Sequence, residues 1–157
     1  MRKFKRMISS MVLCVFIASL CACGKENKSD EYANLYGETI AGLEDDELFA
    51  VIETGASDPV LLVTSQYFDD GYGNQASIWC DVYYPVDGVV KNIGKLESMG
   101  TAYPISYDKN GIYVTFGNTE CYEIDEKEGA IALVEGIDEQ SKDAAVVSFS
   151  YGASDAQ

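Results

Sequence analysis

Three groups of side chains in this sequence have the types and spacing for chemistry. Asp69-Asp70-Gly71-Tyr72-Gly73-Asn74 is a glycine-rich acidic loop in which Asp69, Asp70 and Asn74, helped by backbone carbonyls, could gather oxygens around Ca²⁺. The plainer reading of the same loop is a solvated hairpin turn. Tyr67, Tyr72, Trp79 and Tyr83 could form an aromatic platform for a glycan or a peptide, against the commoner use of such rings in cross-strand packing. Cys80 and Cys121 could form a disulfide in an oxidising compartment. Strand alternation argues otherwise: Cys80 shares a face with Ile78 and Val82, whereas Cys121 points away from the face of Tyr122 and Ile124. If both strands turn those faces to one core, the sulfurs lie on opposite sides of the sheet and both thiols stay free.

Other chemistries are excluded by what the chain lacks. It has no histidine, which removes Ser-His and Cys-His nucleophile pairs and every histidine metal site. Eleven Lys and Arg face 26 Asp and Glu, a net charge of -15, so no basic surface exists to neutralise nucleic-acid phosphates. A carboxylate pair could serve glycoside hydrolysis, but a meander of short strands offers a shallow cleft for it. An enzyme is therefore not expected, with a small envelope hydrolase as the distant alternative. With 47% hydrophobic residues the chain has the material for one folded domain.

The first residues say where that domain resides. Arg2, Lys3, Lys5 and Arg6 form a basic start, and an apolar run follows from Met7 to Leu20. The run is short for a membrane-spanning helix, which needs about 20 apolar residues, and fits the core of a signal peptide. It ends in Leu20-Cys21-Ala22-Cys23, which resembles the lipobox of bacterial lipoproteins: an aliphatic residue, a small residue before the cut, then the modified cysteine. The resemblance implies a diacylglyceryl thioether on Cys23 and cleavage before it. Cys21 is the poorer anchor, because it would put bulky Leu20 at the cut. Two acyl chains, at about 0.8 kcal/mol per buried methylene, hold a protein on a membrane stably.

Removing residues 1–22 takes away four of the 11 basic residues and none of the 26 acidic ones, leaving seven against 26 and a charge of -19. No arginine remains, so no guanidinium fork is left to grip a phosphate or carboxylate. Such a body is repelled by anionic headgroups and held only by its acyl chains. Its charge favours cations or basic partners, although acidity also simply keeps an exported protein soluble.

The elements that must position these residues follow from the hydrophobic period. Residues 23–29 read as a polar tether. Tyr32, Leu35, Tyr36, Ile40 and Leu43 then mark one stripe of a helix, capped by Ser29 and ending near Leu43 before the acidic run Glu44-Asp45-Asp46-Glu47. Beyond it the period is two. About nine short strands are expected: Leu48–Glu53, Val60–Thr64, Ala76–Tyr84, Val89–Ile93, Gly94–Met99, Thr101–Tyr107, Ile112–Phe116, Thr119–Ile124 and Ala130–Glu135, with Ile112, Val114 and Phe116 facing the core. Asp87-Gly88 and Asn110-Gly111 are the hairpin signals. Ala145–Phe149 is a candidate edge strand in the polar tail. The expected organisation is a signal peptide (1–22), a tether (23–29), a helix plus β-meander domain (30–137) and a tail (138–157). The fold class is mainly β: one N-terminal helix and an antiparallel meander, curled like part of a propeller or an open barrel.

Phe49-Ala50-Val51-Ile52, Pro59-Val60-Leu61-Leu62 and Cys80-Asp81-Val82-Tyr83-Tyr84 before Asp87-Gly88 give the chain a resemblance to exported, largely uncharacterised lipoproteins of Gram-positive bacteria. The resemblance spans most of residues 30–135 and implies no activity. Relatives often carry a calcium-type loop between their first two strands. Here Glu53-Thr54-Gly55-Ala56-Ser57-Asp58 keeps two carboxylates and is about one residue shorter, too few oxygens for Ca²⁺. The function expected from the sequence is a lipid-anchored extracytoplasmic binding or structural module, engaging an envelope protein or polymer and no nucleic acid. A Ca²⁺-dependent module using the 69–74 loop is the alternative.

Overall fold

The computed structural model describes residues 28–137 and 139–151, with side chains from residue 32 onward. The segments expected as signal peptide and tether, with Cys21 and Cys23, lie outside the described residues except for residues 28 and 29. The protein is mainly β, with one short N-terminal helix and antiparallel sheets. The helix, α1 (Lys28–Ile40), is followed by β1 (Leu48–Ile52), β2 (Val60–Thr64), β3 (Tyr67–Asp69), β4 (Gln75–Ser77), β5 (Trp79–Val86) and β6 (Val89–Glu97). Then come β7 (Ser106–Asp108), β8 (Gly111–Phe116), β9 (Asn118–Asp125), β10 (Ala130–Leu133), β11 (Ala145–Val146) and β12 (Ser150–Tyr151). One sheet runs β12-β1-β2-β5-β6, the other β10-β9-β8-β7-β11, and β3-β4 is a separate hairpin.

Alternation along the strands makes this a layered body. Leu48, Ala50, Ile52, Leu62, Cys80, Val82 and Tyr84 of the first sheet meet Ile112 and Val114 of the second in one core. Tyr122, Ile124 and Ile131 close it from the second sheet. The outer face of the first sheet is also apolar at Phe49, Val51, Leu61 and Val63, and α1 covers it with Leu35, Tyr36, Ile40 and the following Leu43. That second cluster is why all five residues of β2 are buried: the strand has a sheet core on one side and a helix on the other.

Where the sheets meet at their far edges the barrel stays open. β6 and β10 approach through side chains, with Ile131 so near that a Cβ on Gly94 would lie 2.9 Å from it. Gly94 lies next to a bulge that shifts the β5–β6 register between Val82 and Tyr83. The bulge bends one long strand, and so Val89–Ile93 and Gly94–Met99, expected as two strands, are the single β6.

Other differences from the sequence reading have equally local causes. The helix stops at Ile40, where Gly42 and Leu43 shift to tighter bonds with Thr39 and Ile40. Thr101–Tyr107 shortens to β7, because residues 98–105 leave the sheet to bond elsewhere: Ser98 N–H to Ile78, Met99 N–H to Thr115 and Ile105 N–H to Ser77. Phe116 does not face the core; it is 67% exposed, at the last position of β8 beyond the reach of the facing sheet. Asp87 and Gly88 adopt positive φ (54° and 75°), as a type I′ turn requires. At the β7–β8 hairpin the register pairs Asp108 with Gly111, so Lys109 and Asn110 make the turn and Gly111 begins the strand.

The largest difference is at the C-terminus. The domain does not end at Ile137. After Gln140 bonds Ser106, β11 adds to β7 and the chain crosses between the sheets, with Val147 N–H bonded to Ile105 and Phe149 N–H to Gln75. Then β12 adds to β1 at Leu48 and Phe49. Val147 and Phe149 are buried in the main core. The tail reads as polar because residues 138–143 are, and it is from the short apolar run that follows them, 144–147 and Phe149, that Val147 and Phe149 enter the core.

Candidate functional site

The strands define two ends. The proximal end holds the β1–β2 link (53–59), the β7–β8 turn and the β9–β10 turn. The distal end holds the 44–47 run, the β3–β4 hairpin, the 98–105 loop and the β8–β9 turn. Every residue singled out by sequence for metal binding, and two of the four aromatic candidates, lie on the distal hairpin.

There the loop residues are engaged with one another. The Asp70 carboxylate accepts the Tyr72 N–H (2.8 Å), the Asn74 N–H (3.0 Å) and the Asn74 side-chain amide (2.7 Å). Asp69 accepts the Gly71 N–H at 2.7 Å. Those bonds, the Asn74 amide first among them, hold the Asp70 carboxyl below its ordinary range. The structure thus brings Asp70 and Asn74 together as a loop clamp, with Asp69 making its own turn. Among the described residues no three His, Cys, Asp or Glu side chains gather as a metal site.

The aromatic candidates are not one platform. Tyr67 packs edge-on against Tyr151 (centroids 5.9 Å apart, 83°) with the two hydroxyls 3.0 Å apart. Tyr72 stands at the hairpin tip, 91% exposed. Trp79 lies under Lys95, whose Nζ is 4.5 Å from the ring centroid, and Tyr83 packs in the cluster beneath α1. Trp79 and Tyr83 share one face of β5, but the cluster beneath α1 takes one of them and a lysine covers the other.

Cys80 and Cys121 are both buried and both unbonded. The proposed disulfide is therefore not formed. Cys80 belongs to the main core, while Cys121 pairs with Tyr113 across the β8–β9 ladder, on the face opposite Tyr122. Burial pushes both thiols up, away from the thiolate that redox chemistry needs.

The proximal end contains what sequence reasoning missed. A cleft of about 410 Å³ opens between Gly55, Asn110, Glu123, Ile124, Glu126 and Ile137. Its wall is fixed by Glu126, which reaches from the β9–β10 turn to the β1–β2 link. Glu126 accepts the Ser57 N–H (2.6 Å), the Ser57 hydroxyl (3.0 Å) and the Tyr84 hydroxyl (3.1 Å). Tyr84 in turn accepts the Asp58 N–H at 3.1 Å, and Tyr36 donates its hydroxyl to the Pro59 carbonyl. The Ser57 bonds lower the Glu126 pKa, while burial raises those of Tyr84 and Tyr36. Beside this latch the backbones come close: a Cβ on Gly55 would lie 2.8 Å from the Lys109 carbonyl, and one on Gly111 2.4 Å from that of Tyr122. Glu126 lies 69 residues from Ser57, a separation no local motif reveals.

The chain matches no family model, no curated protein and no solved structure.

Proposed function

We propose that the protein is a lipid-anchored module on the extracytoplasmic face of a cell membrane, serving as a binding or structural component of the envelope rather than as an enzyme. The observation that carries this reading is Leu20-Cys21-Ala22-Cys23 placed after a basic start and an apolar run. Placement of the helix supports it. Tyr32 donates to Glu53 (2.8 Å) and Tyr36 to Pro59, so α1, which follows Cys23 closely in sequence, begins at the proximal end. A binding or structural role is supported by how the carboxylates are used: Asp70 and Glu126 tie loops together instead of presenting a paired acid and base.

Mass spectrometry of the protein isolated from its native membranes tests this. A chain beginning at Cys23 with a diacylglyceryl group on its sulfur is expected, and Cys23→Ala should leave an uncleaved, unacylated precursor. An unmodified Cys23 thiol, or the folded body in the cytosol, would overturn the proposal.

A further inference from the structure

Among the described residues eight large hydrophobic side chains are exposed, and six of them (Tyr67, Tyr72, Met99, Tyr103, Phe116 and Tyr151) belong to the distal end. The topology puts them there from four separate segments: the β3–β4 hairpin, the 98–105 loop, the end of β8 and the end of β12. The same end carries Glu44, Asp45, Asp46, Glu47, Asp69 and Asp70, while residues 44–47, 65–78, 98–105 and 117–120 contain no lysine or arginine. Lys95 is laid over Trp79 on the outer face of the first sheet. Lys109 and Lys127 sit in the proximal turns instead. Exposed tyrosine, methionine and phenylalanine are the residues enriched at the centres of protein interfaces, and a surface of one sign selects an oppositely charged partner.

From this we infer that the distal end is a docking surface for a basic segment of another protein, one that alternates lysine or arginine with apolar side chains. The inference rests on the envelope reading above, which places the proximal end toward the membrane and leaves the distal end facing outward. A second copy of this chain would bring like charges together, and an anionic wall polymer would be repelled as well.

The test uses the full-length lipoprotein in detergent micelles and a fluorescent peptide of alternating lysine and leucine, with a glutamate–leucine peptide and a neutral chitin oligomer beside it. The lysine–leucine peptide should bind, and its affinity should fall as salt rises. The triple variant Tyr72→Ser, Tyr103→Ser, Phe116→Ser should weaken it about tenfold or more, because a few aromatic contacts dominate such interfaces. Asp45→Asn with Asp46→Asn should weaken it further and flatten the salt dependence. Val89→Ser, a change at an exposed side chain of the proximal end, should leave binding intact. Equal loss from Val89→Ser, no loss from the triple variant, or preference for the chitin oligomer or the acidic peptide would each overturn the inference. Fractionation of the same cells separates the two proposals: membrane-bound protein without peptide binding defeats the docking surface alone, and cytosolic protein defeats the anchoring as well.

Discussion

The two ends of this sandwich are closed by opposite means. At the proximal end, pieces far apart in sequence are drawn together by a few shared groups: Glu126 holds Ser57 and Tyr84, and Tyr84 holds Asp58. At the distal end the segments are joined through backbone and hydroxyl groups, and the hairpin carboxylates act only locally. Asp70 holds Tyr72 and Asn74, and Asp69 holds Gly71, all within one turn. The acidic side chains of the first end therefore organise tertiary structure, whereas those of the second organise only their own hairpin. Carboxylates that do not carry the fold are free to meet a partner, and the exposed aromatic residues lie at the same end.

The largest effect is expected at the crossing that joins both sheets: Phe149→Ala should cost about 4 kcal/mol, the range for deleting a buried ring, and urea unfolding would read it as a lowered midpoint. A change of less than about 0.5 kcal/mol, the size of an ordinary surface substitution, would mean that the tail is not part of the core. Gly111→Ala comes next. Its φ of +148° and the Tyr122 carbonyl 2.4 Å from the added methyl predict a loss of about 2–3 kcal/mol, checked in the same unfolding experiment.

Tyr84→Phe removes a hydroxyl that both donates to Glu126 and accepts from Asp58, so about 1 kcal/mol is expected, with faster hydrogen exchange at Asp58. The latch should also respond to acid. Because the folded pKa of Glu126 is lowered from its ordinary 4.5, its contribution is fully present above that value and is lost as pH falls through the lower folded value. The stability difference between the wild type and Glu126→Gln should therefore shrink toward zero in acid. A difference that stays constant through the acidic range would remove the carboxylate from the latch. The smallest effect belongs to the distal tip, where Tyr72→Ser should change stability by less than about 0.5 kcal/mol.

Fold class was legible because the periodicity was strong and local. Tyr36 with its stripe, the alternation of Cys80, Val82 and Tyr84, and the Asp87-Gly88 turn each follow from neighbouring residues alone. Where the sequence misled, a distant part of the molecule decided the outcome. Phe116 has the right parity for the core, yet the opposite sheet does not extend that far. Asn110-Gly111 is a good turn pair, yet the register set by Asp108 moves the turn back by one residue. Val147 and Phe149 belong to a short apolar run in an otherwise polar tail, and only the edges of two sheets give them a place to go. The candidate residues divide the same way. The Asp70 loop could be found because it is contiguous, while Glu126 carries no signal in sequence since its partners lie 42 and 69 residues away.

The pairing of β12 with β1 has a bearing on how the molecule comes into being. Among the described residues the first strand borders the last, so this edge of the first sheet is covered only once residues 150–151 have been made. Until then Leu48 and Phe49 present an unpaired edge and the core lacks the Phe149 ring, the kind of exposed surface that makes incomplete chains prone to aggregate. A product cut before residue 147 would lack both Val147 and Phe149 from its core and the partner strand of β1.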